Sequence, residues 1–173
     1  MMIVIPPGTH PLCEEIIRTA QRDIPILENP IGSNRSPEID AMCKAFGVPL
    51  ASYWCALWTA TVWKAAGAEI PPVNDAKGWH PAKAESWHQW AVATGRFTKT
   101  PQLGFAVLYG KHKLPPAHHI GCCVCATTPI LLDFEGNTSL AGFSTEGELT
   151  GLKPVNAGEL IGFVSPEPIG VSI

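Results

Sequence analysis

The sequence predicts one α+β domain, with amino-terminal helices packed on a carboxy-terminal antiparallel β-sheet. Apolar residues recur at helical spacing up to Gly95, and short β-leaning runs separated by Gly, Pro and polar turns follow it. Helices first and strands second is the order expected of an α+β domain. Because 46% of the 173 residues are hydrophobic, a single core can form, and we expect one domain over residues 1–173.

Four helices are predicted from their end signals and apolar spacing. Ser36 is a suitable N-cap and Pro37 suits the first helical position, so a helix begins there and ends at Gly47. The segment from Trp54 is apolar nearly all round until Gly67, which predicts a helix buried in the core. The four predicted helices are Thr9–Asp23, Pro37–Phe46, Trp54–Ala66 and Lys83–Thr94.

The second half of the chain predicts strands. The apolar runs there are short and end at Gly, Pro or polar residues, which is typical of strands joined by turns. The predicted strands are Phe105–Tyr109, His119–Ala126, Ile130–Glu135 and Leu160–Val164.

Composition excludes several classes of function. The charged fraction is 16% and the formal net charge is −3, so the chain lacks the basic surface of a nucleic-acid-binding protein. No apolar run reaches 18 residues and the first residues do not form a signal peptide, so we expect no membrane span and synthesis in the cytoplasm without an export signal. Without export, the six cysteines are expected to be free thiols, mostly small buried side chains. They are Cys13, Cys43, Cys55, Cys122, Cys123 and Cys125.

Cys55 and His119 are candidates for a nucleophile and its base. Cys55 lies at the start of the buried helix, where unpaired backbone N–H groups and the helix dipole stabilise a thiolate. By position alone, Cys55 could equally be a packing residue. His119 lies on a later strand, and a Cys–His pair needs proximity in space and not in sequence.

A catalytic histidine also needs a group that fixes the orientation of its ring. The next strand offers Asp133, Glu135 and Asn137, which share one face because side chains alternate along a strand. The turn at Gly136 could break that alternation after Glu135.

These residues resemble the CHAP family, the cysteine, histidine-dependent amidohydrolases and peptidases. Tyr53–Ala56, followed by an apolar helix, resembles the nucleophile segment of the family. His119–Gly121 and Glu135–Thr138 resemble its histidine strand and its following Glu-Gly-Asn strand, and Gly32–Arg35 resembles the lead-in of phage-borne members. The motifs occur in the family's order, and the similarity covers roughly residues 28–165.

The resemblance implies a papain-like fold of the CHAP and NlpC type and cleavage of amide or peptide bonds in bacterial peptidoglycan. It implies Cys55 as nucleophile, His119 as general base, Glu135 as the orienting group and Asn137 as a further polar partner, the last two roles being exchangeable. Whether the enzyme is an N-acetylmuramoyl-L-alanine amidase or an endopeptidase is left open. We expect no cofactor or metal, a monomer, and no separate wall-binding domain.

Four further residues are candidates for contact with the substrate or the oxyanion. The hydroxyl of Tyr53 would support the oxyanion beside the backbone N–H of Cys55, by analogy with related cysteine hydrolases. The others are Trp54, Trp79 on a Pro-rich loop, and His118.

The sequence departs from the family in two places. Gly104-Phe105 stands where many members have Gly-Asp, and residues 43–60 lack the acidic cluster that binds calcium in some phage members. The preferred biological role is a phage endolysin that reaches the cell wall after release. A virion-associated lysin, an antibacterial effector amidase of the same fold and a non-catalytic wall-binding or virion protein are the alternatives. A metal hydrolase built from the histidines is disfavoured because no HExxH motif or paired CxxC motif occurs.

Overall fold

The computed structural model describes residues 3–22, 25–73, 75–127, 130–138 and 149–169, without the side chains of residues 125–127 and 130. Within these residues the protein is α+β, with four helices and a six-stranded antiparallel sheet. The helices are α1 (Pro11–Arg22), α2 (Pro37–Ala45), α3 (Cys55–Ala65) and α4 (Ala84–Ala93). None of the described helices has the length and apolar character needed to cross a membrane.

The strands follow the helices along the chain. They are β1 (Phe97–Thr98), β2 (Ala106–Gly110), β3 (Ala117–Thr127), β4 (Ile130–Thr138), β5 (Leu149–Pro154) and β6 (Leu160–Val164), with a short 3-10 turn at Lys111–Lys113. In the sheet their order is β1-β6-β2-β3-β4-β5. The α+β prediction is confirmed, and β1 and β5 were not predicted.

The helix ends follow the predicted signals closely. Ser36 caps α2, since its Oγ accepts a hydrogen bond from the backbone N–H of Ile39 at 3.2 Å. Gly47 follows this helix with a φ of +67°, a conformation that glycine adopts without steric cost. The first helix begins at Pro11 and not at Thr9, and the predicted end at Asp23 lies outside the described residues.

The main core lies between the helices and one face of the sheet. From the sheet it includes Leu108, Ile120, Cys122 and Phe134. The helical side is dominated by fully buried tryptophans, and the rings of Trp63 and Trp87 meet edge to face at 5.0 Å. A smaller apolar cluster contains Cys13, Phe105, Val107, Tyr109, Cys123 and Phe163.

Helix α3 packs directly on β4 at Gly136. A Cβ atom added at this glycine would lie 2.8 Å from Cβ of Trp58 and 3.1 Å from Cζ3 of Trp54, both closer than normal contacts. The absence of a side chain therefore lets the helix that begins with Cys55 approach the strand that carries Glu135.

Replacing Gly136 with alanine is expected to lower the free energy of unfolding by about 1–3 kcal/mol, because the added methyl group forces the helix away from the strand. Urea denaturation followed by tryptophan fluorescence measures the change. Gly158→Ala is the matched control, since its Cβ would meet only Oδ1 of Asn156 at 3.2 Å. Equal stability of the two variants would contradict the close packing of α3 on β4.

Candidate active site

Cys55 is the first residue of α3, and no side chain in the described residues caps this end of the helix. Its side chain is largely covered, with 6% of its surface exposed. The backbone N–H groups of the first turn therefore remain available beside the thiol. This environment favours negative charge on the sulfur or on a bound oxyanion.

A hydrogen bond between Trp54 and Glu28 fixes the start of α3. The indole N–H of Trp54 donates to Oε1 of Glu28 at 2.9 Å, and the backbone N–H of Asn34 donates to Oε2 at 3.0 Å. Both side chains are buried. Glu28 thus links the loop before α2 to the residue that precedes Cys55.

His119 and Glu135 form a buried pair at one end of the sheet. His119 lies near the start of β3 and Glu135 near the end of β4, and antiparallel pairing brings these two strand ends together. Nε2 of His119 is 3.2 Å from Oε2 of Glu135. The structure therefore places Glu135 beside the ring of His119, whereas the amide atoms of Asn137 are buried without a hydrogen-bond partner in the described part of the chain.

The charge state of His119 is set by Cys55 and Glu135. Burial alone lowers the pKa of His119, but interactions with the Cys55 thiolate and the Glu135 carboxylate outweigh burial and raise the pKa to about 10. A cationic His119 is therefore favoured at neutral pH. Cys55, His119 and Glu135 form one electrostatic unit.

Glu135 is held in its ionised form by two further residues. The hydroxyl of Thr138 donates to Oε2 of Glu135 at 2.7 Å, and Nζ of Lys153 lies 3.6 Å from the same oxygen. Burial raises the pKa of Glu135, but contacts with His119, Thr138 and Lys153 outweigh it and lower the pKa to about 2. The carboxylate is thus fixed in charge and in position.

A second carboxyl group lies behind this pair. Asp133 is completely buried, and the hydroxyl of Tyr109 donates to its Oδ2 at 2.7 Å. Burial, followed by the charge of Glu135, raises the pKa of Asp133 well above its usual range, which favours its neutral form. Gly121 provides the space, since a Cβ there would lie 2.5 Å from Oδ2 of Asp133 and 3.0 Å from Cγ of Glu135.

Unsatisfied polar atoms concentrate around this site. Among the described residues, ten buried side-chain atoms lack a well-aligned hydrogen bond, and five of them belong to His119, Asp133 and Asn137. The set includes both ring nitrogens of His119 and both amide atoms of Asn137. Native proteins satisfy most buried polar groups, so such a concentration is typical of a site that completes its hydrogen bonds with substrate or water.

The structure places the other predicted site residues differently. Trp54 is fully buried and offers no surface to a substrate. It therefore does not contact the substrate as predicted, and its indole N–H instead donates a hydrogen bond to Glu28. Trp79 is only 8% exposed, with Nζ of Lys77 4.4 Å from its ring centre. His118 is partly exposed, and its Nε2 lies 4.0 Å from Oε2 of Glu159. Tyr53 is 59% exposed and lines a pocket.

Among the residues that the structure describes, the remaining thiols and histidines do not form a metal-binding group. Cys13, Cys43, Cys55 and Cys122 are buried free thiols, Cys123 is also buried, and the side chain of Cys125 lies outside the described residues. No group of three or more His, Cys, Asp or Glu residues in the described part of the chain is arranged to hold a metal ion.

Four residues of the site were not predicted from the sequence. Glu28 and Lys153 carried no sequence signal, because their contacts join segments that are far apart along the chain. The sequence places Thr138 in the Glu135–Thr138 motif but indicates no role for it. Tyr109 ends an apolar strand, and a buried tyrosine hydroxyl requires a polar partner, so Tyr109 was the one residue that could have been predicted.

The comparisons with known proteins identified no relative. No family model, no curated protein and no solved structure matches this chain.

Proposed function

We propose that this chain is a cysteine hydrolase that cleaves amide bonds in bacterial peptidoglycan. The observation that supports the proposal most strongly is the arrangement of Cys55 at a helix start beside the buried His119, with Nε2 of His119 3.2 Å from Glu135. These are the positions of a nucleophile, its base and an orienting group in a thiol hydrolase. We also propose the papain-like architecture that the CHAP resemblance implies.

The geometry supports a specific distribution of roles in the mechanism. Glu135 lies beside Nε2 of His119, which leaves Nδ1 to exchange a proton with the Cys55 thiol. Cys55 gives its proton to His119, whose raised pKa favours the imidazolium, and the resulting thiolate attacks the amide carbonyl carbon to form a C–S bond. The resulting oxyanion is bound by backbone N–H groups of the first turn of α3.

The second half of the cycle uses the same residues. His119 gives its proton to the leaving amine as the C–N bond breaks, which leaves a thioester on Cys55. A water molecule, deprotonated by His119, then attacks the thioester and releases the acid product with the Cys55 thiol restored. Glu135 stabilises the imidazolium in each half of the cycle.

The choice of peptidoglycan as substrate rests on the resemblance of the Cys55, His119 and Glu135 motifs to the CHAP family. An amidase and an endopeptidase would share these residues and differ in the shape of the groove. A phage endolysin remains the preferred role, with an effector amidase of the same architecture as the alternative.

Release of soluble fragments from purified, dye-labelled sacculi tests this proposal. We expect the native chain to release dye and Cys55→Ala to release none. Cys43→Ala is the matched control, because this cysteine is fully buried in α2 and is not one of the residues that form the described site. No release by the native chain, or equal release by Cys55→Ala, would overturn the proposal. Mass analysis of the fragments identifies the bond that is cut.

A further inference from the structure

A pocket of about 530 Å³ lies between the segment that precedes α3 and the start of α4. One wall is formed by residues 47–53 and the other by His80, Ala82 and Lys83. Tyr53 lines it two residues before Cys55, so their Cα atoms are at most about 7 Å apart. A substrate bound at Cys55 could therefore extend into this pocket.

The charge of the pocket comes from Lys83. No aspartate or glutamate is among the described residues that line it. The ring of His80 is held by the backbone, because its Nδ1 accepts the backbone N–H of Ala82 at 3.1 Å and its Nε2 lies 3.1 Å from the carbonyl oxygen of Phe46. Lys83 is the one lysine or arginine among these lining residues, and its side chain is exposed.

The start of α4 adds to this positive potential. Lys83 occupies the N-cap position, and no side chain in the described residues caps the helix. Glu85, in the first turn, accepts a hydrogen bond from the backbone N–H of Ala117 at 2.5 Å, so its carboxylate is engaged with β3. Lys83, which lines the pocket and directly precedes the uncapped start of α4, favours an anion in the pocket.

We propose that this pocket is a substrate subsite that binds a carboxylate of the peptidoglycan stem peptide through Lys83 and the start of α4. The inference rests on the proposed function, because it takes the stem peptide as the substrate. Stem peptides carry free carboxylates along their length, and this chemistry complements the pocket. The pocket therefore contributes to substrate selection on one side of Cys55.

NMR titration of the Cys55→Ala chain tests the subsite without turnover. The probes are a synthetic stem peptide with free carboxylates and the same peptide with its carboxylates converted to amides. We expect the free form to bind about fivefold more tightly, as for one exposed ion pair, and to shift the resonances of Val48, Ser52 and Ala82. The difference in affinity between the two peptides should decrease as the salt concentration is raised.

Two variants in the same Cys55→Ala background identify the responsible charge. Lys83→Met should remove the preference for the free peptide, whereas Lys111→Met, the same change at an exposed lysine outside the pocket lining, should keep it. Equal affinity of the two peptides, absence of binding by both, or a preference that survives Lys83→Met would overturn the subsite. Hydrolysis of sacculi without a charge preference would reject the subsite alone, whereas binding without hydrolysis by the native chain would reject the proposed function alone.

Discussion

Replacing His119 with glutamine is expected to lower the rate of dye release from sacculi at least about a thousandfold. Glutamine cannot accept the thiol proton or return it to the leaving amine, so both halves of the cycle lose their proton carrier. The raised pKa of His119 adds to the effect, since it favours transfer of the Cys55 proton to the imidazole. Initial rates at one substrate concentration, with folding checked by circular dichroism, measure the loss.

The control for this prediction is His10→Gln. His10 is exposed and its Nε2 lies 3.6 Å from Glu167, away from the buried pair. We expect its rate to stay within about twofold of the native rate, as for most surface substitutions. A folded His119→Gln protein that keeps a tenth or more of the native rate would exclude His119 as the base.

Glu135→Gln is expected to lower the free energy of unfolding by about 3–5 kcal/mol at pH 5.5, the largest loss of stability among these variants. The substitution leaves the imidazolium of His119 and the ammonium of Lys153 buried without the carboxylate that both approach. Urea denaturation measures the difference. Glu14→Gln is the matched control, because the ion pair of Glu14 with Arg18 lies on the surface and is worth at most about 1 kcal/mol.

The effect of Glu135→Gln should also depend on pH in a defined direction. The pKa of Glu135 is lowered from 4.5 to about 2. Its contribution to the free energy of unfolding is therefore complete above pH 4.5 and is lost as pH falls toward 2. The pKa of His119 is raised from 6.5 to about 10, so its contribution is complete below pH 6.5 and is lost as pH rises toward 10. The stability difference from the native chain should therefore be largest between pH 4.5 and 6.5. A difference that is constant from pH 3 to 9 would show that the pair is not ionised as described.

The helices were predictable because their signals are local. The Ser36 cap, Pro37 and the glycine stops define helix ends within a few residues, and these ends agree with the structure. The strands β1 and β5 were missed for a physical reason. β1 has two residues, and β5 includes the buried Lys153, whose burial depends on Glu135 in a neighbouring strand.

The catalytic candidates were predictable from the sequence, but their contacts and the residues that support them were not. The order of Cys55, His119 and Glu135 along the chain indicated the three candidates, and strand alternation placed Asp133 on the face of Glu135. Alternation could not give the opposite pKa shifts of the two acids, because these depend on the burial of Asp133 and on the contacts of Glu135 with His119, Thr138 and Lys153. Trp54 was predicted to contact substrate, but its side chain is buried and hydrogen-bonded to Glu28, so it supports the structure of the site.

The rate at which each cysteine reacts with iodoacetamide at pH 6.5 tests the central claim most directly. Burial raises the pKa of Cys13 to about 11 and that of Cys122 well above its usual range, so these thiols should react slowly. Peptide mapping by mass spectrometry should find Cys55 alkylated first, at a rate that matches the loss of sacculus hydrolysis and that falls at least tenfold in His119→Gln. Alkylation of another cysteine first, or a Cys55 rate that His119→Gln leaves unchanged, would contradict the account of Cys55 as a nucleophile activated by His119.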